Sequence, residues 1–318
     1  MLGEPSRARI SLIVCIRELR DVAQLDGLLE SIKVQSVKPD EIIIATDSKP
    51  SAATLSALRS PSFVSTKVVV NHAGGLANAR NTGIAGSLGE VVAFIDSDSV
   101  ADSRWLERLL ESYVDPDVAA VGGPAYPRWT FQPPRWFTQT FYWLVGCSYA
   151  KPPGSATSVL RLFGCNMSMR REILMSVGLF NPHLGRMDGK PLSGEDTEWF
   201  IRLKSTIPPA RVLFVPDAVT FQIIPPSRLD FRQLALRALY GGISATLVAK
   251  LTRLCEPRTE VAFLTDSLKA FLSSRASARR KTVSAGFAAL IVGLEMVGML
   301  MGMLMPIVRT SRTSVCRY

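Results

Sequence analysis

Near the start of the chain lies a short unbroken apolar run, ISLIVCI at residues 10–16, the pattern of a strand covered on both faces. Across residues 21–35, Val22, Leu25, Leu28, Leu29 and Ile32 recur at helical spacing. EIIIATD (41–47) predicts a second strand, KVVVN (67–71) a third and VVAFID (91–96) a fourth. The Ala-rich stretch 76–87, opened by Gly74-Gly75, predicts a helix between the third and fourth strands. Helical periodicity returns over 103–113, and further strands are predicted at 118–121 and 211–215. Strand and helix alternating at this spacing imply an α/β domain with a mostly parallel sheet and right-handed crossovers. Ligands of such sheets bind at the carboxyl ends of the strands.

Two segments depart from this rhythm. Nine of the 25 aromatic residues fall between Tyr126 and Tyr149, interleaved with Pro133-Pro134 and followed by Pro152-Pro153. Such a stretch is either an irregular, well-packed insertion or a segment suited to the headgroup region of a bilayer. The last 90 or so residues read as helical. Within them residues 283–308 form 26 positions carrying a single charge, Glu295. About 20 apolar residues in a helix span a bilayer core. Arg275, Arg279, Arg280 and Lys281 precede the run, and Arg309 and Arg312 follow it. Gly286, Gly293, Gly298 and Gly302 would admit a second helix at close range. A buried core helix and a re-entrant or in-plane segment are the alternatives to a single span. The expected division is a catalytic α/β domain over 1–225, a basic helical linker over 226–282, the apolar helix over 283–308 and a basic tail over 309–318.

Composition narrows the classes. With 47% hydrophobic and 20% charged residues the chain can bury a large core, which excludes disorder as its main state. Its net charge of +10 is concentrated: residues 226–318 hold 14 basic and 5 acidic side chains. Lying beside an apolar run, that excess fits attraction to anionic membrane lipids better than a nucleic-acid partner, and none is expected. Five widely spaced cysteines without a Cys-x-x-Cys pair suggest neither a disulfide framework nor a zinc site. The N-terminus lacks signal-peptide architecture. The expectation is therefore an α/β domain on the cytoplasmic side, membrane-associated through its C-terminal segment. His72 and His183, the only histidines, receive no role.

The chemistry-bearing residues gather at predicted strand ends. Asp96-Ser97-Asp98 follows the buried strand VVAFI, so both carboxylates emerge at the sheet's carboxyl edge. Hard oxygen ligands at i and i+2 suit Mg²⁺ or Mn²⁺ together with a diphosphate, whose leaving charge the ion would stabilise. Asp47 ends the second strand on the same edge, where it either accepts a nucleobase N–H or forms a turn before Ser48. In the segment 71–83, Gly74-Gly75 permits close backbone approach, and Arg80 can bridge phosphate or base. Neither Walker nor Rossmann glycine spacing is present. Glu195-Asp196 reads either as a catalytic acidic pair or as acids in the first turn of a helix capped by Ser193. Trp199, one turn on, is an acceptor platform or a buried face.

Asp47 after strand two, GGLANARNTG, FIDSDS and GEDTEW, in this order, resemble the family 2 glycosyltransferases, which have a GT-A fold; the resemblance covers roughly residues 8–225. It implies that Asp47 contacts the base, that Arg80 lies near the nucleotide, that Asp96 meets the ribose or metal and that Asp98 holds a divalent metal, Mn²⁺ or Mg²⁺. It also implies that the Asp of Gly194-Glu195-Asp196 is the general base in inverting members. Two departures stand out. Where many members carry a His after the strand following the acidic motif, this chain has Gln222. The Gln-x-x-Arg-Trp of processive synthases is replaced by Gln233-Leu-Ala-Leu-Arg237-Ala. The expectation is an inverting transferase moving one sugar from a nucleotide diphosphate sugar to a polyprenyl phosphate or lipid-linked glycan. A nucleotide-sugar-binding protein of the same fold with weak or no catalysis, or a nucleotidyltransferase, is the alternative.

Overall fold

Strand β1 (Ile10–Ile16) is buried from Ile10 to Val14, as an unbroken apolar run requires, and its neighbours lie on both sides. The computed structural model describes residues 8–19, 22–58, 64–149, 152–187, 189–252 and 278–306. Strands β2 (Glu41–Thr46), β3 (Thr66–Val70) and β4 (Val91–Asp96) run parallel to β1 in the order β3-β2-β1-β4. β5 (Ser99–Ala101) follows at once and leaves this sheet for a smaller one. Past β4, the main sheet continues with β9 (Asn166–Arg170), which is antiparallel to both β4 and β6 (Val118–Gly122). β10 (Arg211–Phe214) is parallel to β6, and the two-residue β8 (Thr157–Ser158) closes that edge antiparallel. The eight-stranded sheet is mostly parallel with one reversed inner strand. That strand was not foreseen as reversed, because its sequence NMSMR alternates in polarity whichever way it runs. Its polar side chains are satisfied inside: Asn166 accepts from Trp105 Nε1 at 2.8 Å and donates to the Pro124 and Ala218 carbonyls.

Alternate residues of β1 serve opposite faces. Ile10, Leu12 and Val14 pack with Leu28, Leu29 and Ile32 of α1 (Asp26–Lys33) and with Trp105, Leu106 and Leu109 of α4 (Trp105–Glu111). Leu58, which ends α2 (Ala52–Leu58), joins the same cluster. Ile13 on the other face meets α3 (Leu76–Ala85), α5 (Arg171–Val177) and α6 (Glu195–Thr206) through Ile84, Leu174 and Trp199. A three-stranded sheet, β5-β11-β7, pairs β11 (Thr220–Ile224) with β5 and β7 (Ala125–Trp129), and sits beside the end of β4.

Among its described residues the C-terminal part holds two apolar helices, where one was expected. Within 226–282, α7 (Phe231–Thr252) is 22 residues long, and α8 (Ala278–Leu304) overlaps the predicted apolar run but starts earlier. Both are long and apolar enough to cross a membrane. They lie side by side in the same direction, since Thr246 Oγ1 donates to the Met299 carbonyl and Lys250 Nζ to the Gly302 and Met303 carbonyls near the end of α8. Those carbonyls have no intrahelical partner, so the ammonium acts as a cap. A methyl group at Gly298 would sit 2.0 Å from the Leu239 carbonyl oxygen, which explains that glycine, whereas Gly286 and Gly293 face nothing within 4 Å. The predicted basic tail 309–318 and Arg275 lie outside the described residues.

α7 also rests on the α/β unit from Leu234 to Val248. Leu234 and Ala238 pack on Phe137, Phe141, Leu144 and Val145 of the aromatic stretch, and Arg237 donates to the Leu144 carbonyl at 2.8 Å. Further along, Ser244 Oγ accepts from the Ser193 N–H at 2.9 Å. The aromatic stretch is therefore a packed insertion whose partners are the C-terminal helices: Trp136 and Phe141 hold Phe287 of α8 at centroid distances of 4.8 and 5.0 Å. The opposite side of α8 exposes Leu290, Met296, Val297, Leu300 and Met301.

Candidate functional site

β2 and β4 end together because β1 pairs both in register, so Asp47 and Asp96 emerge at one sheet edge. Asp47 is half-buried; its Oδ1 accepts from Asn71 Nδ2 at 2.6 Å and its Oδ2 from the Gly75 N–H at 3.4 Å. Both Gly74 and Gly75 take positive φ, 69° and 84°, so the glycine loop is folded against this carboxylate.

Asp96 and Asp98 are each half-buried at the mouth of β4. Asp96 Oδ2 accepts from Gln222 Nε2 at 3.0 Å, and Gln222 is itself buried on β11, facing Ser99 of β5. The residue standing in place of the expected histidine thus orients one carboxylate of the pair. Asp98 pairs with Arg228, which lies in the short turn Pro226–Leu229 that leads into α7. Burial and the nearby Asp96 charge push the Asp98 carboxyl above its ordinary range, and Arg228 and Arg186 oppose them. Two carboxylates so placed carry negative charge that a hard divalent cation would neutralise, and their oxygens fit Mg²⁺ or Mn²⁺. Among the described residues no third His, Cys, Asp or Glu joins them, so the remaining ligands would be phosphate oxygens and water.

The acidic motif begins α6. Gly194 holds a left-handed conformation, φ 94°, and is the N-cap; the expected cap Ser193 is exposed and gives its N–H to α7 instead. Any side chain at Gly194 would also strike Val248 of α7, 2.8 Å from the position of its Cβ. Asp196 is half-buried: its Oδ2 accepts from the Gly164 N–H at 3.0 Å and its Oδ1 from the Thr197 N–H at 2.6 Å. Gly164 precedes β9, whose Asn166 lies opposite Ile95, one residue before Asp96. Asp196 and Asp96 therefore share the same end of the sheet.

Three of the expected site residues have buried partners. Glu195 is 4% exposed, and its carboxylate is bonded to Arg80 at 2.6 Å. Arg80, 3% exposed, spends its other nitrogen on the Gly164 carbonyl at 3.0 Å, with its guanidinium 5.8 and 5.5 Å from the rings of Phe94 and Phe180. It braces the α6 start against the Gly164 loop. Burial raises the Glu195 carboxyl, while Arg80 acts to lower it. Trp199 is fully buried in the core and donates Nε1 to the Gly178 carbonyl at 2.8 Å.

Sequence reasoning passed over Cys15 and Arg228. Cys15 sits opposite Asp96 on β1, where burial, with Asp96, Asp47 and Glu195 against Arg80, pushes its thiol up to about 12. Arg228 had no local signal, because its meaning comes only from the turn that returns the chain to β4.

Residues 11–178 match the model of a family described as Glycosyl transferase family 2. The chain belongs to that family. This family 2 glycosyltransferase is 28% identical over 241 residues to the glucosyl-dolichyl phosphate glucuronosyltransferase of Haloferax volcanii, a match covering 74% of the chain and 76% of that relative. It is 27% identical over 237 residues to the succinoglycan biosynthesis protein ExoM of Rhizobium meliloti, covering 73% and 72%. Among solved structures, the mannosyltransferase PcManGT from Pyrobaculum calidifontis, in complex with GDP-Man and Mn²⁺, aligns with a TM-score of 0.56 at 16% identity over 95% of the chain and 91% of its own. The fold of this glycosyltransferase is accordingly GT-A, and the nucleotidyltransferase and non-catalytic alternatives are not favoured.

Proposed function

We propose that this glycosyltransferase moves one sugar, with inversion, from a nucleotide diphosphate sugar to a membrane-associated acceptor, a polyprenyl phosphate or a lipid-linked glycan. One observation carries the reading: the strand-end carboxylates and the acidic motif share a sheet edge, and the start of that motif is seated on an apolar helix. Asp47, held by Asn71 and Gly75, takes the base N–H. Asp96 and Asp98 would hold Mn²⁺ or Mg²⁺, which supplies electrostatic stabilisation of the departing diphosphate. The nucleotide in the PcManGT complex and the dolichyl phosphate in the name of the Haloferax relative support these partner classes.

Asp196 orients the Gly164 backbone and keeps a lone pair for an incoming hydroxyl. With a lipid phosphate, already ionised, that base is not needed. Turnover of Asp196→Asn on a supplied polyprenyl phosphate therefore stays close to wild type if phosphate is the acceptor, and collapses if the acceptor is a hydroxyl.

The attachment is in-plane. α7 cannot enter the bilayer core without drawing Ser193 and Gly194 in with it, since Ser244 and Val248 hold them. α8 then lies along the surface with Met296, Leu300 and Met301 in the acyl boundary, and the catalytic unit faces the cytoplasm. Val297→Asp combined with Met301→Asp should release the protein from vesicles; undiminished sedimentation with them would count against this placement. The general test is a thermal-shift screen of nucleotide sugars with Mn²⁺, followed by transfer assays. No stabilisation by any nucleotide sugar and no turnover would remove the reading.

A further inference from the structure

Arg228 is the side chain that joins the donor end of the site to its membrane end. Its guanidinium is 25% exposed and pairs with Asp98, the carboxylate suited to a divalent cation. The next residue, Leu229, lines an apolar slot of about 230 Å³ whose other walls are Trp136, Phe231, Leu234 and Phe287. One turn of chain therefore places a cation at the catalytic carboxylates and an aliphatic wall in a slot roofed by both C-terminal helices. Arg237 of α7 and the exposed Arg186 also lie within electrostatic reach of Arg228 or Asp98. Arg228 thus has two further guanidiniums in its electrostatic neighbourhood, a setting that favours an incoming anion.

We propose that Arg228 is a counter-ion that changes partners: it neutralises Asp98 in the empty enzyme and, once a metal-bound donor takes Asp98, binds the phosphate of a lipid-phosphate acceptor whose first isoprene units fill the slot. This rests on the donor reading above and narrows its acceptor to the phosphorylated lipid. The physical logic is competition. A guanidinium and a divalent cation cannot both saturate the same carboxylate, so metal binding expels Arg228, and a cation released beside a greasy slot favours an amphiphilic anion. Donor and acceptor then help each other, because each removes a cost that the other would meet, and the coupling is reciprocal. The slot is apolar on every named wall, so a phosphate without a tail gains only the arginine contacts, and a tail without a phosphate gains only burial.

The experiment uses the full chain in detergent micelles. Mn²⁺ binding is followed by electron paramagnetic resonance, and farnesyl phosphate, farnesol and inorganic phosphate are titrated by calorimetry with and without Mn²⁺ plus UDP or GDP. In the wild type, Mn²⁺ and nucleotide should tighten farnesyl phosphate at least fivefold, with farnesol and inorganic phosphate each at least tenfold weaker. Arg228→Gln should bind Mn²⁺ more tightly than wild type, because its competitor is gone, yet bind farnesyl phosphate at least tenfold more weakly and without the nucleotide effect. Phe231→Ala should weaken farnesyl phosphate and leave inorganic phosphate unchanged. Farnesyl phosphate binding that ignores Arg228→Gln, or Mn²⁺ binding that weakens in that variant, overturns the proposal. Inorganic phosphate binding as tightly as the lipid form would overturn it too, leaving a phosphate site. Failure of the wild type to bind UDP or GDP with Mn²⁺ at all would instead remove the donor reading on which it rests.

Discussion

Replacing Arg80 by Met, Glu195 by Leu, and both together tests whether the buried pair, rather than either residue, fixes the start of α6. Arg80→Met strips Glu195 Oε1 of its donor in a site where Oε2 already has no hydrogen-bond partner. Glu195→Leu leaves a guanidinium 3% exposed with the Gly164 carbonyl and two aromatic faces for company. Removing one partner of a buried pair costs about 3–5 kcal/mol, against a native stability of about 5–15 kcal/mol, so each single variant should be severely weakened. The double variant buries no charge. It still leaves the Gly164 carbonyl without its donor, worth about 1–3 kcal/mol. It should therefore be more stable than either single, a coupling of several kcal/mol between neighbours. Thermal unfolding of the four proteins in one detergent, read by tryptophan fluorescence and circular dichroism, should show drops of roughly 10 °C for the singles and a partial recovery for the double. If the double variant falls by the sum of the two singles, the side chains act independently and the brace does not exist. Transfer activity should follow the same order, because the loop carrying Gly164 also holds Asp196.

Gln222→Leu keeps the volume but removes the donor to Asp96. It should weaken Mn²⁺ binding about tenfold with little change in melting temperature, and unaltered Mn²⁺ affinity would deny Gln222 its orienting role. Glu41 is 8% exposed on its side chain and, although burial acts to raise it, Lys67, the Ser11 hydroxyl and the Leu88 N–H hold its carboxyl below its ordinary 4.5. The stabilisation this gives is complete above 4.5 and is lost as pH falls through the lowered value. Glu41→Gln should therefore cost about 1–3 kcal/mol at neutral pH, and the gap to wild type should close in acid; a gap independent of pH refutes the linkage. Gly298→Leu should push α8 off α7, since even a methyl would meet the Leu239 carbonyl oxygen. A disulfide engineered between positions 246 and 299 should form on the wild-type background and fail with Gly298→Leu; equal yields would show the helices still packed.

Much of the catalytic unit was legible because its signals are local. The runs at β1 and β4 are apolar without a break, and a strand of that kind must lie inside a sheet, so the exit of Asp96 and Asp98 at its edge follows. The reversed β9 was not legible, since strand direction depends on the long return from β7 and leaves no mark in polarity. α7 falls in the stretch expected as a basic helical linker, and its apolar character was hidden by Arg232, Arg237 and Lys250, whose charges dilute a helix that is nonetheless apolar enough to cross a membrane. Two of those charges are answered by carbonyls, Arg237 by Leu144 and Lys250 by the end of α8, which only three-dimensional neighbours reveal. Arg80 and Glu195 illustrate the converse difficulty. Their residue types and spacing suit a nucleotide site, and only burial shows that they satisfy each other.

The seating of α7 along the protein has a mechanical consequence. An enzyme hung from a flexible stalk samples many heights above a bilayer and can serve acceptors of many lengths. Here the hydrogen bond from Ser193 to Ser244 and the aromatic grip on Phe287 remove that play, so under the in-plane attachment proposed above the reactive edge would stand at one fixed elevation. An edge so fixed would suit an acceptor whose reactive group lies at the headgroup level, as a lipid phosphate does, whereas a glycan longer by one or two sugars would lift its end out of register.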